Sequence, residues 1–556
     1  MTYPNITLPQ MLEQTAAKSS GDTALIYFGA RISYGQLQEH SDRLAAGLQS
    51  LGLRKGDRVA LMMPNCPQFV IAFFGALRAG GIVTATSSMY TAREIVHQWN
   101  DAGATVIIAD RLLYPVIKAA LPELTSVRHV VLTGMRQYYP QHFQKLCAGL
   151  NSPSAPRSTM ELQVSTEAKP SKNPRLHDWE DLLNLSRSPA PHGLTPADIA
   201  CLQYTGGTTG TSKGAMLTHA NLVINAYHAN CWLTGSKSQR EVVVAALPMF
   251  HIYAMTCVMI AAIENGNTVI ILPRFELRTA LNTIRKHQPT IFHGVPTMYV
   301  AFNGAPNVKR YGFHSLRVCM SGGAPLPVEV REKFEALTGG KLVEGYGLTE
   351  TSPVTHINPP EGSPKVGSIG LPIAETEARI VDLKTGTREV PVGEIGEITI
   401  RGPQVMKGYW KKPKETALVL RDGWLHTGDI AKKDADGYFY IVDRKKDLII
   451  AGGYNIYPRE VEEVLLRHEA VSEVSVAGEK SDEWGENVVA FVSVREGLSL
   501  AESELDNLCL ENLARFKRPK RYVVLPELPK SPNGKILKSE LRAHLNGSAG
   551  NDGNAA

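Results

Sequence analysis

The chain has 556 residues, 43% of them hydrophobic and 20% charged, with 48 Gly, 34 Pro and a net charge of +5. That length exceeds one ordinary core, so two or more domains are expected. The small positive balance excludes a nucleic-acid binder that works by bulk electrostatics and leaves room for anionic ligands. Seven scattered cysteines (Cys66, Cys147, Cys201, Cys231, Cys257, Cys319, Cys509) contain no CxxC pair, which argues against a disulfide framework or zinc cluster and for a reducing cytoplasm. The first residues lack the basic and apolar regions of a signal peptide.

In chain order, SYGQLQEHSDRLAAGLQSLGL (33–53) has helical apolar spacing, DRVALMM (57–63) reads as a strand, and PQFVIAFFGALRAGG (67–81) as a second helix. A helix start at TAREIVHQWNDAG and a strand TVIIAD (105–110) follow. Strands separated by helices predict an α/β fold with layered sheets and parallel strands. From about 137 to 195, Pro, Ser and Asn dominate, and the segment reads as a surface excursion. Residues 242–263 (VVVAALPMFHIYAMTCVMIAAI) are long enough to span a bilayer, but Pro248 and His251 interrupt them, so a folded core is expected. Regular patterning runs to about 443. After the charged joint DRKKD (443–447), residues 444–545 have their own order: strand LIIAG, helix PREVEEVLLRH, strands VSEVSVAG and VVAFVSV, helix AESELDNLCLENL. The reading is a large N-terminal domain (1–443), a small α+β domain (444–545) and a tail (546–556) with almost nothing to bury.

The most informative segment is YTGGTTGTSKG (204–214). Glycines let backbone N–H groups approach a phosphate, while hydroxyls and one lysine add donors and charge. The plain alternative is a ligand-free Gly/Thr turn. A Walker-type loop is ruled out by spacing, because Ser212 precedes Lys213 and Gly214 follows it, and no GxGxxG run is present.

This loop closely resembles the phosphate loop of the adenylate-forming enzymes: acyl-CoA synthetases, peptide-synthetase adenylation domains and luciferases. SGGAPL (321–326), GYGLTE (345–350), GWLHTGD (423–429), DRKKD, GGYNIYP (452–458) and PKSPNGKI (529–536) follow in the family's order over about residues 10–545. LPMFH (247–251), KLVEGYGLTE (341–350) and RGPQVMKGYW (401–410) are most similar to bacterial long-chain fatty acid–CoA ligases.

The resemblance implies an ATP-dependent acid–CoA ligase that forms an acyl-adenylate, releases pyrophosphate, and passes the acyl group to coenzyme A as AMP leaves. It assigns phosphate binding to Thr205, Gly206, Gly207, Thr208, Thr209, Gly210 and Lys213. Mg²⁺ falls to Glu350 with Thr205, since Mg²⁺ prefers hard oxygen ligands. Gly323, Ala324, Gly345 and Tyr346 would form an adenine slot, with Gly347 and Thr349 in the same motif. Asp429 and Arg444 would meet the ribose, and Lys535 both the attacking carboxylate and the α-phosphate. Asp443 would be the pivot of a mobile small domain, and Gly452, Gly453, Tyr454 and Lys445 would meet CoA. His251, Met255 and Val295 would line the acyl pocket, although they read equally as core packing.

No aspartate lies near LPMFH to pair with an amino group, which disfavours an amino-acid substrate. A medium- or long-chain fatty acid is the expected acid. SSMYT (87–91), where long-chain ligases usually show NPLYT, and the lack of Trp in 247–258 depart from that subgroup. The alternatives are an aryl-acid–CoA ligase, a luciferase-like oxidase, an enzyme charging a separate carrier protein, or a silent nucleotide- or lipid-binding protein. A fatty substrate also admits peripheral contact with the inner face of the membrane, and a homodimer is compatible with the sequence.

Overall fold

A computed structural model of the chain describes residues 3–140, 174–185, 188–205, 212–234, 240–360, 362, 364–451, 454–481, 484–530 and 536–548. Their contacts divide them into a larger unit (3–205, 212–377 and 401–423) and a smaller one (378–400 and 424–548). Residues 378–400 and 424–443 thus group with the small domain by compactness. A pivot is a property of motion, and compactness does not decide where it lies.

The larger unit is built on two mostly parallel sheets. In one, Lys341–Gly347, Val318–Ser321, Ile291–Gly294, Val242–Ala245, Thr268–Ile271 and Thr23–Tyr27 run parallel in that spatial order. Antiparallel strands Val354–Ile357 and Leu371–Pro372 extend one edge, and Ala30–Ser33 the other. In the second sheet Arg175–Asp178, His129–Thr133, Ala104–Asp110, Arg58–Met62, Ile82–Thr86 and Ile199–Tyr204 are parallel, and antiparallel Gly214–Thr218 closes the far edge. Every residue of Ile82–Thr86 and Ala104–Asp110 is buried. That explains their continuous apolar runs: both faces of a parallel sheet are covered, so no polar alternation is required.

The helices follow local signals. Ser33 caps Tyr34–Ser50 by accepting the Gln36 N–H at 3.2 Å, and the Gln36 side chain accepts the Ser33 N–H at 2.9 Å. Pro67 starts Pro67–Arg78, whose residues Pro67–Leu77 are all buried, making it an interior helix rather than an amphipathic surface one. Residues 242–263 form the strand Val242–Ala245, then a buried π-helical stretch Ala254–Ile260 that continues as Ala261–Glu264. No helix among the described residues is long and apolar enough to cross a membrane.

The expected excursion at 137–195 contains regular structure. Arg175–Asp178 is the edge strand of the second sheet, and Trp179 and Leu182 of the next helix are buried. RLHD is polar because an edge strand is only half covered, so periodicity gave no signal. In the smaller unit, Ile449–Ala451, Pro458–Leu465, Val471–Ser481, Gly485–Val494 and Glu502–Asn512 match the expected order. Two further strands were unforeseen, Tyr454–Ile456, antiparallel to Ile449–Ala451, and Arg521–Val524, parallel to Gly485–Val494, and they bring this sheet to five strands. Ile456, Val461, Leu465, Val476 and Leu505 form part of its separate core. The tail from 549 onward lies outside the described residues.

Burial holds several histidines of the larger unit neutral: His219 and His293 are pulled down to about 4 and His356 to about 3. Each binds its proton in the unfolded chain near the ordinary value of 6.5 but not in the folded one. Stability is therefore complete above about pH 6.5 and falls as pH drops toward 4, by up to about 1.4 kcal/mol per pH unit for each such group. Thermal unfolding from pH 7.5 to 4.5 should show a steadily falling Tm, and a flat profile between 6.5 and 5 would contradict this burial.

Candidate active site

The base of the glycine-rich loop is a short antiparallel hairpin. Tyr204 pairs with Gly214, and the Thr205 N–H donates to the Lys213 carbonyl at 3.0 Å. Ser212 Oγ donates to the Thr205 carbonyl, and the Tyr204 hydroxyl donates to Asp101 at 2.7 Å. A second segment runs alongside. Met216 N–H donates to Gly408 O at 2.9 Å, Lys407 N–H to Met216 O at 3.0 Å, and Trp410 N–H to Gly214 O at 2.8 Å. Gly408 is required there: its φ is +137°, and a Cβ would lie 2.6 Å from Thr416 Cγ2.

These backbone bonds place Tyr409 between two expected phosphate-site residues. Its hydroxyl donates to Glu350 Oε1 at 2.7 Å, and Lys213 Nζ lies 4.9 Å from its ring centroid. Burial, then the adjacent Glu350 charge, pushes the Tyr409 hydroxyl well above its ordinary pKa, so it remains a donor. Glu350 sits with Thr349 on a 3₁₀ turn after Lys341–Gly347, and its carbonyl accepts the Met406 N–H at 2.8 Å. Tyr409, which stands within RGPQVMKGYW without an assigned role, thus links Lys213 to Glu350, while Thr205 is joined to Lys213 by its backbone bond. Gly206, Gly207, Thr208, Thr209 and Gly210 lie outside the described residues.

Gly323 and Ala324 follow the carboxyl end of Val318–Ser321, and Gly345 and Tyr346 lie on the neighbouring parallel strand, with Ser321 opposite Glu344. Carboxyl ends of parallel strands are where such sheets bind ligands. Tyr346 pairs across the turn with His356, with ring centroids 6.0 Å apart. Gly347 tolerates no side chain, because a Cβ would meet Pro353 O at 2.0 Å. Val295 caps Pro296–Gly304, and its Cγ1 lies 3.7 Å from the position a Gly323 Cβ would take, so an acyl candidate and an adenine candidate are neighbours. Met255 is fully buried in the π-helical stretch, a local geometry frequent at functional sites. His251 precedes it, its carbonyl accepting the Met255 N–H at 3.0 Å and its Nδ1 the Tyr253 N–H at 3.3 Å.

The segment carrying His251 is fastened by two buried carboxamides. Asn65 Nδ2 donates to Leu247 O at 2.8 Å, Leu272 O at 3.1 Å and Ala245 O at 3.3 Å, while Oδ1 accepts the Met249 N–H at 2.7 Å. Gln203, on the strand leading into the glycine-rich loop, donates to Phe250 O at 2.8 Å.

In the smaller unit, Asp429 is nearly fully buried and pairs with Arg444 Nε at 2.8 Å across adjacent strands. Beside them is an open recess of about 330 Å³ lined by Thr427, Gly428, Arg444, Lys445 and Lys446. Glu397, which the sequence reading missed, accepts Gly428 N–H and Lys445 Nζ, both at 3.0 Å. Lys445 is therefore partnered rather than merely solvated. Asp443 accepts Arg444 N–H at 2.7 Å and Arg459 N–H at 2.8 Å; burial pushes its carboxyl up, opposed chiefly by Lys538. Tyr454 is exposed and stacks on Phe516 with centroids 4.5 Å apart and planes 24° from parallel. Gly452, Gly453 and Lys535 lie outside the described residues.

A glycine-rich hairpin with a lysine and a carboxylate on a two-sheet α/β unit, followed by a small α+β unit, is the build of an adenylate-forming enzyme. The chain belongs to the AMP-binding enzyme family, whose pattern matches residues 12–410, with the AMP-binding enzyme C-terminal domain matching 460–535. It is 45% identical over 550 residues to a long-chain-fatty-acid–CoA ligase of Bacillus subtilis strain 168, covering 97% of this chain and 95% of that one. Among solved structures it resembles ATP-bound MatB from Rhodopseudomonas palustris (29% identity, TM-score 0.83, 97% and 99% of the two chains). It also resembles an anthranilate CoA ligase in complex with anthranoyl-AMP (25% identity, TM-score 0.84, 98% and 99%). The resemblance drawn from the motifs is thus upheld.

Asn65→Ala removes the partner of several buried backbone groups and should destabilise the larger unit by about 2–3 kcal/mol. Urea unfolding would measure this; a loss below about 0.5 kcal/mol would mean that the tie is dispensable.

Proposed function

We propose that this enzyme joins a medium- or long-chain fatty acid to coenzyme A in two steps. The acid carboxylate attacks the α-phosphorus of ATP, the bond to the bridging oxygen breaks, and pyrophosphate leaves. The CoA thiolate then attacks the acyl carbonyl and AMP departs. The acyl group is never attached to the protein, so no protein nucleophile is needed. The observation that carries the reading is the Lys213–Tyr409–Glu350 cluster at the base of the glycine-rich loop.

The chemistry of this cluster suits anionic reactants. Lys213 has no carboxylate partner among the described residues, so its charge is available to phosphate oxygens. Glu350 Oε2 likewise has no hydrogen-bond partner among the described residues, and no cage of three or more His, Cys, Asp or Glu is found there. One carboxylate oxygen, with the Thr205 hydroxyl assigned beside it, fits Mg²⁺, which is usually held by one or two carboxylates, water and substrate phosphates. When bound there, Mg²⁺ would offset phosphate charge. Asp429 and Arg444 are assigned to the ribose, and Lys535 to the carboxylate and α-phosphate. The CoA arm is assigned to the Gly452–Tyr454 turn and Lys445. Asp443 is the proposed pivot between 1–443 and 444–545.

The relative from Bacillus subtilis supports a fatty acid as substrate. So does the segment 247–260, which carries no Asp, Glu, Lys or Arg and whose Met249 and Met255 are fully buried. An aryl acid is the second reading, favoured by the likeness to the anthranilate ligase. Peripheral membrane contact and a homodimer stay as proposals compatible with a fatty substrate.

With ATP, Mg²⁺ and CoA, a panel of acids from acetate to C18 and aromatic acids should give the fastest pyrophosphate release with C8–C18 acids. Faster turnover of benzoates would favour the aryl reading, and no release with any acid would refute adenylation. Lys535→Ala should slow acyl-AMP formation at least about 100-fold, the scale of losing one transition-state contact. It should leave thioester formation from supplied acyl-AMP within a few-fold; equal losses in both half-reactions would remove the lysine from its assigned step.

A further inference from the structure

We infer that Tyr409 is a positioning residue for the phosphate site, holding one oxygen of Glu350 with its hydroxyl and the Lys213 ammonium with its ring face. The inference rests on the proposed adenylation site and adds a residue to it.

Three observations carry it. First, the tyrosine spends its two chemical ends on two different charged groups: the hydroxyl reaches Glu350 Oε1 at 2.7 Å, and Lys213 Nζ sits 4.9 Å from the ring centroid. A carboxylate can only accept, so the phenol must be the donor. With Oε1 engaged, the carboxylate rotation is fixed, and Oε2 is the oxygen left for a cation. Ammonium over an aromatic face is attracted without being neutralised, so Lys213 is held in place with its charge intact for a phosphate. A carboxylate in that position would instead compete with the phosphate.

Second, the tyrosine itself has little freedom. Its N–H donates to Thr416 Oγ1 at 2.9 Å, its backbone bridges Ala215, and its neighbours Gly408 and Trp410 bond Met216 and Gly214. The residue is 8% exposed. A ring fixed by bonds to one strand and to the following helix can orient its partners; a solvated one could not.

Third, a purely structural role accounts for the burial of the ring but not for the choice of a hydroxyl. Burial of a phenol whose partner is a half-exposed carboxylate costs desolvation that phenylalanine would avoid. Orienting a carboxylate that holds a metal is the kind of outer contact whose loss typically costs 10–100-fold in metal affinity.

The test separates the two ends. Tyr409→Phe keeps the ring and removes the hydroxyl; Tyr409→Leu removes both. Binding of Mn²⁺, followed by the electron paramagnetic resonance of the free ion in the presence of ATP, should weaken about 10-fold in Tyr409→Phe. The KM for ATP at saturating Mg²⁺ should change less than twofold in that variant and rise at least fivefold in Tyr409→Leu. Glu350→Gln should weaken Mn²⁺ binding by itself, and adding Tyr409→Phe to it should weaken it no further, because the hydroxyl then has no carboxylate to orient. Thermal unfolding within a few degrees of wild type verifies that the variants are folded. Wild-type Mn²⁺ affinity in Tyr409→Phe, or full additivity in the double variant, would overturn the role of Tyr409 while leaving Glu350 as a ligand. Wild-type affinity in Glu350→Gln would overturn both this inference and the metal assignment beneath it. Should Tyr409→Leu fail to fold, the Tyr409→Phe and Glu350→Gln cycle decides alone.

Discussion

The segment that carries His251 depends on one tie: the carboxamide of Asn65, which binds the carbonyls of Ala245, Leu247 and Leu272 and the N–H of Met249. Asn65 follows a strand of one sheet, while Ala245 and Leu272 end or follow strands of the other. The chain at 247–249 leaves its strand and makes no sheet bonds of its own, so its backbone groups need other partners. Asn65 supplies both donor and acceptor at one point, and Gln203 donates to the Phe250 carbonyl from the strand that leads into the glycine-rich loop. The segment carrying His251 is therefore fixed to both sheets and to the base of that loop. A shift in the loop strand would be felt at the candidate acyl pocket through a single hydrogen bond.

A second constraint acts through backbone proximity. Gly347 and Gly408 each sit where a side chain would collide, against Pro353 O and Thr416 respectively. With these two positions kept free of side chains, backbone hydrogen bonds join the turn that carries Glu350 to the segment that carries Tyr409, and that segment to the glycine-rich hairpin. Main-chain geometry is stiff, so the side chains placed by it inherit that stiffness. This is the form of support that a site needs when reacting groups must be held to a fraction of an ångström.

How much of this was legible depended on whether the cause was local. YTGGTTGTSKG announces its chemistry because glycine, hydroxyl and lysine are all needed within one loop, and GYGLTE and GWLHTGD are likewise short. The parallel strands were legible because burial on both faces leaves unbroken apolar runs. Tyr409 was not: it is 59 positions from Glu350, and nothing in MKGYW states what a tyrosine there will touch. Asn65, 184 positions from Met249, and Glu397, 48 from Lys445, were missed for the same reason. The strand Arg175–Asp178 was hidden by its edge position, and the π-helical stretch at 254–260 by having no compositional signature.

The candidate site residues of the two units hold their charges differently, and the difference suits the chemistry proposed for each. In the smaller unit Asp429 is matched by Arg444, Lys445 by Glu397, and Asp443 by two backbone N–H groups, so these side chains have fixed orientations before any ligand arrives. A matched carboxylate still has lone pairs for hydroxyl groups, which is what the ribose proposed for Asp429 would ask of it: hydrogen bonds rather than net charge. Among the described residues of the larger unit, Lys213 faces a ring and no carboxylate, and Glu350 keeps one oxygen without a partner. These two groups are left with a ring face and a single phenol, and their proposed partners, a triphosphate and its cation, carry the opposite sign. Tyr409 makes that possible, since it can steady both a cation and an anion while neutralising neither.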